Sequence, residues 1–458
     1  MSISSVLRPL KALAELTVKF SLVDGPPKEV ARLLLVDTIF CMQCAKNSPE
    51  VVLASELALE FFGGDACRSF VTGRSLGLLG AILENGTAIR VLDLNDFYWG
   101  PGIGGHPSDL FAVSISVGQL QGSSLKDVLQ ATVLGYEIYL RMLDQLSIES
   151  VIDHTTAMKL ASTAVVMNLM HANLMVTENA FALALASGPS LSVLRSGSIS
   201  RSKAMFPSLC AIDGVMMSML ALKGVTGPVE SILGSLGMGF MIGSDHQIEE
   251  FVSKINFGQK ILSTNIKIYP CIGTAQSAVS SMIELHDYVK VQRDNISEIV
   301  IRLSDSELIR HQSSAIYKFP KTKETADHSF FSVIAMAAID GYLNIEQFEM
   351  KRFLDANVLA IQDQFKFEYS LDGANQGIFK CQIEVRLNNG ETKSSAVHVF
   401  DKLKDADNLK NNLRLKFLNL KSSTLLSTQI EKTMSVFSKS SDQQVINALM
   451  DEAINAFI

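Results

Sequence analysis

The chain has 458 residues, 47% of them apolar and only 19% charged, a balance that supports a large buried core and excludes an intrinsically disordered protein. A net charge of −7 argues against a general nucleic-acid binder, which would carry a basic face, yet a few buried cations could still hold an anionic substrate. No run of about 18 uninterrupted apolar residues occurs, so no membrane-spanning helix is expected.

Leu7, Leu10, Leu13 and Leu16 recur at helical spacing and, with Glu15 among them, mark a first core helix rather than a transit peptide. A cytosolic, reducing location is the expectation, with a mitochondrial one left open by Arg8, Lys11 and Lys19. Pro26 and Pro27 open a helix that runs to about Lys46. Within it Cys41 and Cys44 have a redox-like spacing, but no second pair and no His pair accompanies them, so they read as core packing. Further helical patterns lie near 50–63, 73–87, 109–120, 124–145, 155–175 and 209–223, without the βαβ alternation of a parallel sheet. After about residue 265 the pattern changes: Asn295–Leu303, Phe365–Leu371 and Phe379–Leu387 read as strands, the last ending at the turn Asn388-Asn389-Gly390. Helices are expected between them at 273–289, 327–342 and 346–362, and again from about Asp401 to Ile458. The organisation expected is a helical unit over 1–265, an α+β unit over 266–400, and a helical tail over 401–458 that returns to the first unit.

Gly100 to Gly105 satisfies G-x-G-x-x-G literally, but the polar run before it and Pro101 inside it do not suit a dinucleotide fold. The loop reads instead as a flexible carrier of His106. The segment His106-Pro107-Ser108-Asp109 looks like a helix start, with Ser108 as cap and Asp109 facing the dipole. His154 precedes Thr155 and Thr156 at another helix start, and Lys203 stands at a loop–helix junction. Such positions set cations and imidazoles beside free backbone N–H groups, where an anionic ligand is favoured. His171 reads as a core residue, and His311 and His398 show no partner. No metal-ligand spacing appears, so no metal is expected, and no nucleophile elbow or Walker loop appears either.

Taken in order, EVARLLLVDTIFC, GTAIRVLDLNDFYWG…GHPSD, the His154 helix start, Ser202-Lys203, DGVMMSMLALKGVTGP, KIYPC and ADHSFFSVIAMAAIDG resemble the MmgE/PrpD family over nearly the whole chain. The resemblance implies a mainly α fold: a large all-helical domain built from both termini plus a smaller α+β lid, a homodimer, no cofactor, and a site between the two domains. It implies that Asp93, His106, His154, Lys203 and Tyr317 line that site, with Lys203 and His154 binding substrate and moving protons. His106 would be the general acid or base, Asp93 would orient it, and Tyr317 would be a secondary donor or carboxylate ligand. The implied activity is a lyase acting on a small polycarboxylic acid, first of all a 2-methylcitrate or alkylcitrate dehydratase. A cis-aconitate-type decarboxylase, an epimerase, and a non-catalytic relative are the competing readings.

Three positions depart from the family pattern. Phe97 stands where Thr is usual, Phe206 where a His often follows the Lys, and Ile272 where His would follow Pro270-Cys271. These changes are expected to make part of the pocket wall apolar and to suit a substrate with fewer carboxylates or with an alkyl chain.

Overall fold

The computed structural model describes residues 3–22, 24–146, 151–228, 230–231, 251–252, 256–371, 377–403, 405–420, 432, 435–436 and 440–457. Helices dominate the first half: α1 (Ile3–Lys19), α2 (Pro26–Ala45), α3 (Pro49–Phe61), α4 (Leu78–Arg90), α5 (Phe111–Gln121), α6 (Leu125–Gln145), α7 (Thr155–Leu169), α8 (Leu174–Ala186) and α9 (Phe206–Leu222). Local chemistry sets their ends. Two prolines open α2, a capping box of Ser124 and Asp127 opens α6, and Gly122 closes α5 in the left-handed region at φ 61°. Leu10, Leu13 and Leu16 of α1 are buried as expected, whereas the side chain of Leu7 lies outside the described residues.

Several expectations are corrected. The first unit is not wholly helical: β1 (Cys67–Arg68) pairs with β2 (Ser75–Leu76), and β3 (Tyr98–Trp99) with β4 (Gly104–Gly105). The first of these hairpins delays α4 from residue 73 to Leu78. The helix expected over 155–175 breaks after Leu169, because His171 turns left-handed at φ 49° and Asn173 caps α8. His171 is therefore an exposed turn residue and not part of the core. The helix expected over 346–362 is two short pieces, Ile345–Glu349 and Ala356–Gln362, divided at left-handed Lys351.

The α+β segment follows. Its central strand β5 (Ile296–Leu303) runs parallel to β6 (Phe365–Tyr369) and antiparallel to β7 (Phe379–Leu387). Two strands not foreseen, β8 (Thr392–Ser394) and β9 (His398–Phe400), pair with β7. Along β7 burial alternates strictly, so Cys381, Ile383, Val385 and Leu387 share a core with α10 (Gln276–Gln292) and α11 (Phe330–Asp340), while Phe379 meets Phe97 and Trp99. His398 is paired after all, its Nε2 lying 2.7 Å from Glu284.

Apolar side chains gather into two main cores. One spans Leu10 to Ile266 and takes in Leu403 to Ile454, and the other spans Cys271 to Leu387. The chain thus returns through α12 (Ala406–Asn419) and α13 (Ile446–Phe457) to the helices it began with. Among the described residues no helix is long and apolar enough to cross a membrane. All six cysteines are free thiols, and Cys41 lies in the first core.

The return is fixed by a buried ion pair. Lys416 of α12 is fully enclosed, pairs with Asp37 of α2, and donates to the backbone carbonyl of Leu94 at 2.7 Å. Breaking a buried pair leaves an uncompensated charge, at about 3–5 kcal/mol. Replacing Lys416 by Met should therefore lower the unfolding free energy by about that much, read as a fall in the urea midpoint at unchanged slope. A change within about 0.5 kcal/mol, the size of an ordinary surface substitution, would show the pair to be dispensable.

Candidate active site

The site begins where α4 ends. Arg90 closes the helix, and three residues later Asp93 adopts φ 49°, a left-handed conformation that a non-glycine residue holds only when its surroundings fix it. The fixing groups are cations. Arg90 forms an ion pair with Asp93 Oδ1, and Lys267 Nζ donates to the same oxygen and to the Asp93 backbone carbonyl, both at 2.8 Å. Around the other carboxylate oxygen stand Lys203 Nζ at 3.8 Å and His328 Nε2 at 3.7 Å. His106 Nε2 approaches Oδ1 to 3.7 Å. Burial alone would raise the Asp93 pKa, but Arg90, Lys203 and Lys267 outweigh it and hold the carboxyl well below its usual range.

The loop after Asp93 is locked onto the next helix start by its own polar side chains. Asp96 accepts from the backbone N–H of Ser108 at 3.0 Å and from the Tyr136 hydroxyl at 2.8 Å, and Asn95 donates to Ser108 and Asp109, each at 3.0 Å. Ser108 is thus not the cap the sequence suggested. It lies inside a 3-10 turn, Pro107–Leu110, whose free N–H is satisfied by Asp96. Burial raises the Asp96 pKa to about 6 and that of Asp109 to about 7.

Both histidines read from the sequence are positioned by defined contacts. His106 Nδ1 lies 2.8 Å from the carbonyl oxygen of Asp96, which can only accept, so Nδ1 carries the proton and Nε2 the lone pair. Tyr139 Oη accepts from the backbone N–H of His106 at 3.3 Å and lies 2.7 Å from His154 Nδ1, to which it can donate, leaving His154 with a proton on Nε2. The two rings are 5.9 Å apart. Burial first, then nearby cations, lower both pKa values, His106 well below normal and His154 to about 3. Both are neutral imidazoles, one offering a lone pair and the other an N–H. Helix α7 is opened by Asp153, whose carboxylate accepts from the Thr155 N–H at 2.9 Å and from Arg195 Nε at 3.1 Å.

Lys203, in a 3-10 turn, lies 3.4 Å from Asp327 Oδ1 and 3.1 Å from His328 Nδ1. Burial lowers its pKa to about 8, against the pull of Asp327 and Asp93. Asp327 and His328 were not singled out in the sequence, nor were Arg90, Tyr139 and Lys267. A signal was present: Asp327-His328-Ser329 at the start of α11 repeats the Asp153-His154-Thr155 arrangement at the start of α7.

The remaining positions divide. Phe97 packs 5.8 Å from the His106 ring and joins Trp99, Phe379 and Phe400 beside a cavity of about 300 Å³. Ile272 is held next to the cluster by its N–H, which donates to the Asp327 carbonyl at 2.8 Å. Phe206 packs on the helical core. The Tyr317 hydroxyl meets His311 at 3.3 Å, so His311 is not without a partner, and Tyr317 touches the cluster only through its backbone carbonyl, which accepts from Ser329 beside His328.

Asp93, Asp327 and His328 also place one ligand atom each within 4.8 Å of one another, a cluster the sequence spacing concealed. The donor set does not fit a dication. Arg90, Lys203 and Lys267 already supply three positive charges to the two carboxylates, so a further cation would be repelled. The same surplus favours an anion.

The sequence matches the family models of the MmgE/PrpD N-terminal domain over residues 11–250 and of the MmgE/PrpD C-terminal domain over residues 269–435. It is similar to the mitochondrial 2-methylcitrate dehydratase of Yarrowia lipolytica, 24% identical over 396 residues that cover 79% of this chain and 73% of that protein.

The histidine assignments can be read directly. In a ¹⁵N-histidine titration, His106 should appear as the Nδ1–H tautomer, and His106 and His154 should both remain neutral to pH 5, since one lies well below its normal value and the other at about 3. Protonation of either between pH 6 and 7 would contradict the assigned environment.

Proposed function

Since the chain belongs to the MmgE/PrpD family, we propose that it is a cofactor-independent lyase of small polycarboxylic acids, and specifically a dehydratase of 2-methylcitrate or alkylcitrate type. The observation that carries this reading is the convergence of Arg90, Lys203, Lys267, His106 and His328 on one buried carboxylate, Asp93. Positive charge exceeds negative there, and fixed charges in a closed site stabilise a developing carbanion far more than water could. The similarity to a named 2-methylcitrate dehydratase supports the dehydratase outcome over decarboxylation or epimerisation.

Dehydration of a 2-hydroxy tricarboxylate breaks a C–H bond next to one carboxylate and a C–O bond on the adjacent carbon. His106 Nε2, with its lone pair, takes the proton. The electron pair forms the C=C bond, and the hydroxyl leaves as water with a proton from Lys203, whose pKa near 8 suits transfer close to neutral pH. His154 offers its Nε2–H to a substrate carboxylate, and Asp93 stays ionised and holds Lys203 and His106 in register. Tyr317 is retained as a secondary group, acting from the edge of the site. Phe97 and Ile272 form an apolar side against which an alkyl substituent would lie, and Phe206 packs on the helical core three residues after Lys203.

Purified protein incubated with 2-methylcitrate, longer alkylcitrates and cis-aconitate, followed by NMR, should show water loss from the alkylcitrates. Release of CO₂ from cis-aconitate alone, or inversion without loss of water, would replace the dehydratase reading with one of its alternatives. In the same assay His106→Ala should lower kcat by roughly 10²–10⁴-fold. The value of kcat/KM should fall as pH rises through about 8, where Lys203 loses its proton, and Lys203→Arg should abolish that limb.

We propose further that the protein is a homodimer. Leu209, Met216 and Leu220 are 45%, 40% and 37% exposed and share one face of α9, an apolar stripe suited to a partner helix. Light scattering at micromolar concentration should give twice the chain mass of 49.9 kDa; the single-chain mass would contradict the dimer.

A further inference from the structure

Arg195 ends a 3-10 turn, Ser192–Arg195, that packs against the turn bearing Lys203. Its Nε donates to Asp153, the residue that opens α7 immediately before His154. That contact uses one edge of the guanidinium. The two terminal nitrogens are closed off from solvent and have no hydrogen-bond partner, although they carry four of the five N–H donors of the group. A buried charged donor without an acceptor is costly, and the usual resolution is an anion that occupies both nitrogens at once. Asp153 steers the fork by holding Nε, and a carboxylate has the shape to meet the two remaining nitrogens side by side. The electrostatic influence of Arg195 reaches His154, Asp109 and Lys203, so it acts on the same space as the groups described above.

We infer that Arg195 is a specificity-determining residue of this site, which receives one further carboxylate of the substrate through its two terminal nitrogens and so selects tricarboxylates over dicarboxylates. The inference rests on the polycarboxylate reading of the site. Lys203 and His154 then hold the carboxylate next to the reacting carbons, while Arg195 takes the carboxylate that a dicarboxylate of the same chain lacks, and with it sets which face is turned to His106. Lysine could keep the charge but not the paired geometry.

Isothermal titration with two unreactive ligands separates the possibilities. Tricarballylate carries three carboxylates; glutarate has the same chain without the middle one. The wild-type protein should bind tricarballylate more tightly than glutarate. Arg195→Gln should weaken tricarballylate by roughly 10–100-fold, the scale of a lost charge-assisted pair, and leave glutarate within about threefold, since glutarate can use the remaining cations. Arg195→Lys should fall between, and it serves as the test variant if thermal unfolding shows that Arg195→Gln does not fold. Equal weakening of both ligands, or no weakening of either, would overturn the role of Arg195 while leaving a polycarboxylate site in place. A wild-type protein that binds neither ligand would overturn the polycarboxylate reading itself, and Arg195 with it.

Discussion

A carboxylate cannot be buried alone. Asp93 is 1% exposed, and from that single fact much of the architecture around it follows. Its charge must be met by cations, and the cations come from the end of α4, from the turn before α9, and from the segment that enters the α+β unit. Each of these elements is therefore held in register by the requirement that Asp93 be neutralised. The positive phi angle of Asp93 belongs to the same constraint, because two contacts from Lys267, one to side chain and one to backbone, define the turn.

The arrangement also explains why neutral histidines sit among so many charges. The burial that makes Asp93 dependent on cations makes His106 and His154 reluctant to become cations themselves. Positive charge is thus carried by Arg90, Lys267 and, near neutral pH, Lys203, and His106 remains free to take a proton. A polyanionic substrate would raise the basicity of His106 on binding, because its carboxylates oppose the field of Arg90 and Lys267. The base would then be strongest when substrate is present and weakest when it is absent.

Much of this was legible from residue pattern. Helical periodicity located α2, α6 and α9, a strand pattern ending at the turn Asn388-Asn389-Gly390 located β7 to the residue, and helix-start chemistry drew attention to His106, His154 and Lys203. What escaped was of two kinds. Short elements escaped because two-residue hairpins such as Cys67–Arg68 with Ser75–Leu76 have no period to detect. Single buried cations escaped because Arg90 and Lys267 look, in sequence, like the solvated ends of apolar runs; only the fold shows that no water reaches them. Tyr317 is a different case, a position taken from family likeness whose hydroxyl meets His311 and whose backbone carbonyl accepts from Ser329 beside His328. Gly105 shows how tight the assembly is, since a Cβ there would come within 2.6 Å of the Tyr139 hydroxyl that fixes both histidines.

The bond from Lys416 to the Leu94 carbonyl has a consequence for synthesis on the ribosome. Leu94 directly follows Asp93, yet the group that steadies its peptide belongs to a helix made more than three hundred residues later. The loop that carries Asp93 must wait, with its carbonyl and the buried carboxylate of Asp37 both unmet, until α12 has been made. Closing so long a loop is entropically slow relative to local helix formation. A nascent chain lacking α12 would carry a half-assembled helical core, so a helix made late governs when α2 and the loop after α4 become native.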